Sequence, residues 1–177
     1  MPRRVYTKRT VVVRPKKKWS SCLTATSYTQ TLDSAGVSVK EYDLVKNQTE
    51  GSSQIPAPVI LKTGNFKIYG TLNTTIAASD ISKLWNVTAY VMYRPQGYTY
   101  QGTSMNTIYQ HPEWIMARGT MRYIPGQQVS FSMSSRMKRN LNTGDSVSLV
   151  LAITKDTTLA SVNLVQYLHT QYYVCAN

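Results

Sequence analysis

Alternation with a period of two runs through most of this chain and limits what it can become. Val129, Phe131 and Met133 interleave with Ser130, Ser132 and Ser134, and Val147, Leu149, Leu151 and Ile153 interleave with Ser148, Val150, Ala152 and Thr154. Val87, Ala89, Val91 and Tyr93 do the same against Thr88, Tyr90 and Met92. Phe66, Ile68, Gly70 and Leu72 share one face of a further run, and Val162, Leu164 and Leu168 share one face of another. Successive side chains of a strand point to opposite faces, so this period gathers each apolar set on one side of a sheet; at helical spacing the same sets would scatter round the cylinder. The 13 tyrosines and the abundant Ser, Thr and Val suit a pleated, half-buried surface.

Turn chemistry separates the runs, at Gly64-Asn65, Pro95-Gln96-Gly97, Pro125-Gly126, Asn142-Thr143-Gly144-Asp145 and Lys155-Asp156. The pattern predicts strands over 22–32, 36–45, 65–73, 85–94, 107–111, 114–124, 127–135, 145–155 and 161–175, with one short helix at Ser79–Leu84 behind a Ser-Asp start. Eight or nine strands and no fixed-period repeat mean an all-β sandwich, jelly roll or barrel, and argue against a solenoid or propeller.

Charge is the second constraint. Residues 1–18 hold Arg3, Arg4, Lys8, Arg9, Arg14, Lys16, Lys17 and Lys18 and no acid, so the net charge of +12 divides into +8 on this arm and +4 on residues 19–177. The arm's like charges repel, it lacks apolar periodicity, and Pro2 and Pro15 oppose a helix, which predicts a disordered segment. A cationic arm condenses on a polyanion by releasing counterions, whatever the base sequence. Trp19 follows directly; it either stacks on an unpaired base or is the first residue anchored in the fold. A second basic cluster, Arg136-Met137-Lys138-Arg139, reads as a loop on one rim, either simply solvated, adding to a positive lining, or contacting a neighbouring subunit.

Other chemistries find little support. His111 and His169 sit in no metal-ligand spacing, the eight acids are scattered, and no Gly-rich phosphate loop follows a strand. No catalytic residue, metal or cofactor is expected. Cys22 and Cys175 read as packed thiols and not as a clip. No secretory leader and no apolar run of about 20 residues is visible, so no membrane insertion is expected.

Three stretches bring a family into view: Asn86–Gly97 (NVTAYVMYRPQG), His111-Pro112-Glu113-Trp114-Ile115-Met116-Ala117, and Ser134–Asp145 (SSRMKRNLNTGD). Together with the layout of basic arm and β domain, they resemble capsid proteins of circular, Rep-encoding single-stranded DNA viruses, the circovirus-like group. The resemblance implies a single jelly roll over residues 19–177, assembly of about sixty copies into an icosahedral T=1 shell, and an inward arm that neutralises a single-stranded DNA genome. It also implies nuclear import of the subunit through that arm, hence host import machinery as a partner, and a place in the virion and in the host nucleus during assembly. The expected nucleic-acid-binding set is Arg3, Arg4, Lys8, Arg9, Arg14, Lys16, Lys17, Lys18, Trp19, Arg136, Lys138 and Arg139. Two alternatives share the architecture: the coat of a small satellite RNA virus, and a cellular nucleic-acid-binding β-barrel module with a basic tail.

Overall fold

Eight strands carry the alternation among the described residues of a computed structural model, which are 18–32, 36–47, 60–74, 85–155 and 162–176. They are β1 (Ser20–Leu32), β2 (Val37–Lys46), β3 (Ile60–Thr74), β4 (Trp85–Arg94), β5 (Ile115–Tyr123), β6 (Val129–Asn142), β7 (Ser146–Thr154) and β8 (Val162–Ala176). The arm residues Arg3, Arg4, Lys8, Arg9, Arg14, Lys16 and Lys17, and the helix expected at Ser79–Leu84, lie outside the described residues.

Pairing is nested, all of it antiparallel: β1 with β8, β2 with β7, β3 with β6 and β4 with β5. Two further ladders, β3 with β8 and β4 with β7, close the strands into two four-stranded sheets of order β1-β8-β3-β6 and β2-β7-β4-β5. A double hairpin rolled up in this order is a jelly roll.

The sheets differ in what covers them. Between them lies the main core, where Phe66, Ile68, Leu168 and Tyr172 meet Ala89, Val91, Leu149 and Leu151. Leu32, Leu72 and Leu164 meet Trp85, Val87 and Ile153 further along. The outer face of the second sheet is buried as well, because the connection from β4 to β5 folds over it and sets Tyr100 and Ile108 on Tyr90, Met92, Val150 and Ala152. Hence β7 is buried along nearly its whole length, as a strand covered on both faces must be. Among the described residues, no such connection covers the first sheet.

Three expectations need correction. Residues 107–111 form no strand: Asn106–Tyr109 is a single helical turn, α1, followed by a 3-10 turn at Pro112–Trp114. Thr107-Ile108-Tyr109 favours a strand locally but has no partner ladder; the Met105 carbonyl accepts the Ile108 N–H at 3.0 Å, and Ile108 alone anchors the turn. Gly64-Asn65 is no turn but a bulge inside β3, with Asn65 at φ 54° and a register jump between Gly64 and Phe66. Arg136–Arg139 is likewise no loop, since β6 runs on to Asn142.

Cys22 and Cys175 form no disulfide. Cys22 faces the core, opposite Tyr172, whereas Cys175 is three positions on along β8 and so points to the other face.

Two outcomes follow. Gly70 faces the core, and a methyl there would run into the Phe131 ring and approach Leu168; Gly70→Ala should therefore cost about 1–3 kcal/mol by overpacking, read as a lower denaturant midpoint at unchanged slope. Burial raises Tyr42 and Tyr90 from 10.0 to about 12, and burial together with the bond to Asp145 does the same for Tyr93. Protonated phenols are thus favoured in the fold, so their contribution is complete below pH ~10 and is lost as pH rises through 12. An ultraviolet titration should show these tyrosines ionising late, together with alkaline unfolding.

Candidate nucleic-acid interface

The acids and bases of this protein are sorted between the two sheets. The described acids are Glu41, Asp43, Glu113 and Asp145, and none lies on β1, β8, β3 or β6. Each of the buried ones is fully occupied in holding loops. Glu41, 8% exposed, accepts Arg94 Nη1 at 2.6 Å, Thr99 Oγ1 at 3.0 Å and the Tyr100 N–H at 2.9 Å. Arg94 also reaches Asp43 at 2.8 Å and donates through Nε to Ser146 at 2.9 Å. Asp145 accepts the Tyr93 hydroxyl at 2.7 Å and the N–H groups of Gln96 and Asn142 at 3.1 and 3.0 Å. The first sheet meanwhile carries Lys62 and Lys67 on β3 and Arg136, Lys138 and Arg139 on β6.

The sequence-predicted residues fall into three groups. Lys18 is exposed and Trp19 half-buried just before β1. The register begins at Ser20 opposite Val174, which sets Trp19 beside the end of β8, and Lys138 Nζ lies 5.2 Å from the centre of its indole ring. Trp19 thus packs against the second basic cluster. Arg136 and Lys138 are exposed on β6, with the Lys138 stem seated on Gly64, where a side chain would collide with it. Arg139 has a different job: it is half-buried, its guanidinium donates to the Glu113 carbonyl and sits 5.7 Å from the Tyr93 ring centre. It ties β6 to the connection over the other sheet.

Those contacts gather the three motif stretches into one corner. Tyr93 receives Arg139 on its face, bonds Asp145 through its hydroxyl and meets Trp114 edge-on at 6.2 Å. His111 stacks on Trp114 at 3.8 Å with its Nδ1 3.2 Å from Glu113 Oε1, and Tyr98 packs edge-on against both rings. The shared motifs thus build a brace. Among the described residues, no three of His, Cys, Asp and Glu converge as metal ligands.

Sequence reasoning missed Lys62, Lys67 and the exposed tyrosines of the first sheet. Alternation puts Lys67 and Tyr69 opposite in facing to Phe66 and Ile68; that the strands beside them also lack acids emerges only from the pairing.

No protein-family model matches the sequence, and neither does any curated protein. Solved structures similar to this chain include viral capsid proteins. The decameric BFDV capsid protein shares 6% identity over 90% of this chain and 100% of that one, at a TM-score of 0.43. Its 60-mer shares 8% over 91% and 95%, at 0.38. Broad Bean Stain Virus gives 15% over 90% and 88%, at 0.36. A Yersinia pseudotuberculosis-derived mitogen is similar too, at 11% over 83% and 86%, with 0.33. At such scores these likenesses carry nothing about function, which has to come from the chain's own residues.

The division of labour in the basic cluster can be checked directly. Arg139→Ala should destabilise the protein by about 1–3 kcal/mol, the range for losing a hydrogen bond made by a charged group. Lys138→Ala should stay within about 0.5 kcal/mol of the parent and weaken binding to a single-stranded oligonucleotide. Equal losses of stability would refute the distinction.

Proposed function

We propose that this protein is the coat subunit of a small virus, a jelly roll that self-assembles into a closed shell and holds a nucleic-acid genome through its basic N-terminal arm. One observation supports the reading: Lys18 and Trp19, the last residues of the basic stretch, meet Lys138 at one end of a sheet whose four strands carry no acid. A cytoplasmic binding module needs a handful of phosphate contacts. A shell multiplies a modest arm: with about sixty copies, the eight charges of residues 1–18 would reach several hundred in the interior.

Within this reading the genome is single-stranded DNA, on the strength of the three local motifs, and the shell has T=1 symmetry. Arg3, Arg4, Lys8, Arg9, Arg14, Lys16, Lys17 and Lys18 neutralise phosphates, and Arg136 and Lys138 extend the lining. The same arm serves as the nuclear import signal. A satellite RNA virus coat would use the same architecture and arm, and only the nature of the packaged strand separates the two.

Electron micrographs of the purified full chain should show round particles of uniform size. Removing residues 1–18 should leave the β-type circular dichroism and the thermal midpoint little changed, while the slope of log K against log salt on single-stranded DNA flattens by about five to six units if all eight charges engage. A protein that stays a monomer at every salt and pH overturns the coat reading. A truncated chain with unchanged affinity and slope overturns the role of the arm.

A further inference from the structure

A groove crosses the outer face of the β1-β8-β3-β6 sheet, and the arm does not account for it. Three shallow depressions follow one another along the seam of β3 and β6 and share walls. The first is lined by Tyr69, Thr71, Ser132, Tyr167 and His169, the second by Lys67, Tyr69, Ser132 and Ser134, the third by Lys67, Ser134, Arg136 and Tyr173. Lys62 and Lys138 lie beyond it at the same end, where they line a separate depression with Tyr93, Arg139 and Asn140. From Thr71 to Lys62 an extended strand rises roughly 30 Å.

One end of the groove is aromatic. Tyr69 is 56% and Tyr167 53% exposed, and His169 is exposed beside them. Tyr69 stands opposite His169, and Tyr167 stands opposite Thr71, so the three rings neighbour one another across β3 and β8. Their surroundings keep them clear: Ala25 and Ser27 face His169 and Tyr167 from β1, and Ser132 and Ser130 face Tyr69 and Thr71 from β6. Among the described residues, nothing large leans on these rings from either strand beside them. The other end is cationic, with Lys67, Lys62, Arg136 and Lys138 and no acid on any of the four strands.

We propose that this groove is a track for single-stranded nucleic acid, with bases stacked on Tyr69, Tyr167 and His169 and phosphates held by Lys67, Arg136 and Lys138. Unpaired bases offer π-faces to aromatic side chains, and a positive groove follows the backbone beside them. A duplex keeps its base faces to itself and would leave the aromatic end unused. The root of the arm, at Trp19 and Lys138, lies at the cationic end, so a strand gathered by the arm is delivered into the groove. The inference rests on the packaging reading and adds to it that this sheet faces the genome and touches its bases.

The test uses the full chain with two labelled probes of equal length, oligothymidylate and a chain of abasic sites, followed by anisotropy, and electron micrographs of the same samples. Replacing Tyr69 and Tyr167 by Ser should lower affinity for oligothymidylate about thirtyfold or more, from stacking lost at two rings, and leave the abasic probe, the salt slope, the thermal midpoint and the particles as they were. Lys67→Gln should weaken both probes and reduce the salt slope by about 0.7. An equal loss on both probes, or none on either, overturns the stacking track. Particles lost with both affinities intact also overturns it and assigns the face to a contact between subunits. If the base-dependent loss is seen in a protein that never forms particles, the groove stands and the coat reading fails. Oligouridylate in place of oligothymidylate tells RNA from DNA at the same site.

Discussion

A single buried carboxylate decides which side of this sandwich is left open. Glu41, on the covered face of β2, collects a guanidinium, a hydroxyl and a backbone N–H from the stretch that leaves β4. An ionised side chain at 8% exposure is tolerable only with such partners, so the partners must come to it. They bring the whole connection with them, and Tyr100, Ile108 and Trp114 then cap the second sheet. Without that clamp both sheets would be half-buried alike. With it, one sheet is an interior layer, and the other keeps an exposed face among the described residues.

Charge follows the same division. The second sheet and its loops use their acids as fasteners, at Glu41, Asp43 and Asp145, each against a donor close by. Arg94 offsets one of the charges on Glu41 and Asp43, and Asp145 is held by uncharged donors. The first sheet keeps lysines and arginines unopposed at β3 and β6. At an ionic strength of about 0.15 M charges act over roughly 8 Å, so sorting by sheet matters more than the net charge of the chain: the four strands of the first sheet carry cations and no acid. The brace around Tyr93 belongs to this arrangement too, since Arg139 turns inward to join the layers and leaves Arg136 and Lys138 outward.

Much of the fold was legible because core-facing positions are apolar and alternate. Where inner positions turn polar, the signal vanishes. On β6 nothing apolar faces the core between Met133 and Leu141: Ser135 is buried by donating to the Met116 carbonyl at 2.8 Å, and Arg139 by its reach to Glu113. A period-two pattern ends there, so it predicts a strand that stops at 135 and a loop for the basic residues after it. The bulge at Asn65 failed for a related reason, since a left-handed residue beside glycine serves turns and bulges alike. The basic cluster itself was visible in the sequence. What composition could not supply was the partition among its members, because Arg139 and Lys138 are neighbours in the chain and point to opposite faces.

The free edges of the first sheet extend the argument from the fold to association. An unpaired edge strand is a template for another strand, and proteins that live alone blunt it with charge, proline or a bulge. At one edge, β6 is guarded by Arg136 and Lys138 and by the bulge opposite them. At the other, β1 offers 13 residues, SSCLTATSYTQTL, with neither charge nor proline, mostly exposed, with Leu23 open at 77%. Among the described strands it pairs with β8 alone. One edge of the sheet is thus protected and the other is left receptive, an asymmetry that would be a hazard for a solitary domain. In a closed assembly the same asymmetry is useful, because each copy presents a side to be covered and a side that repels being covered, and the contact then has a direction.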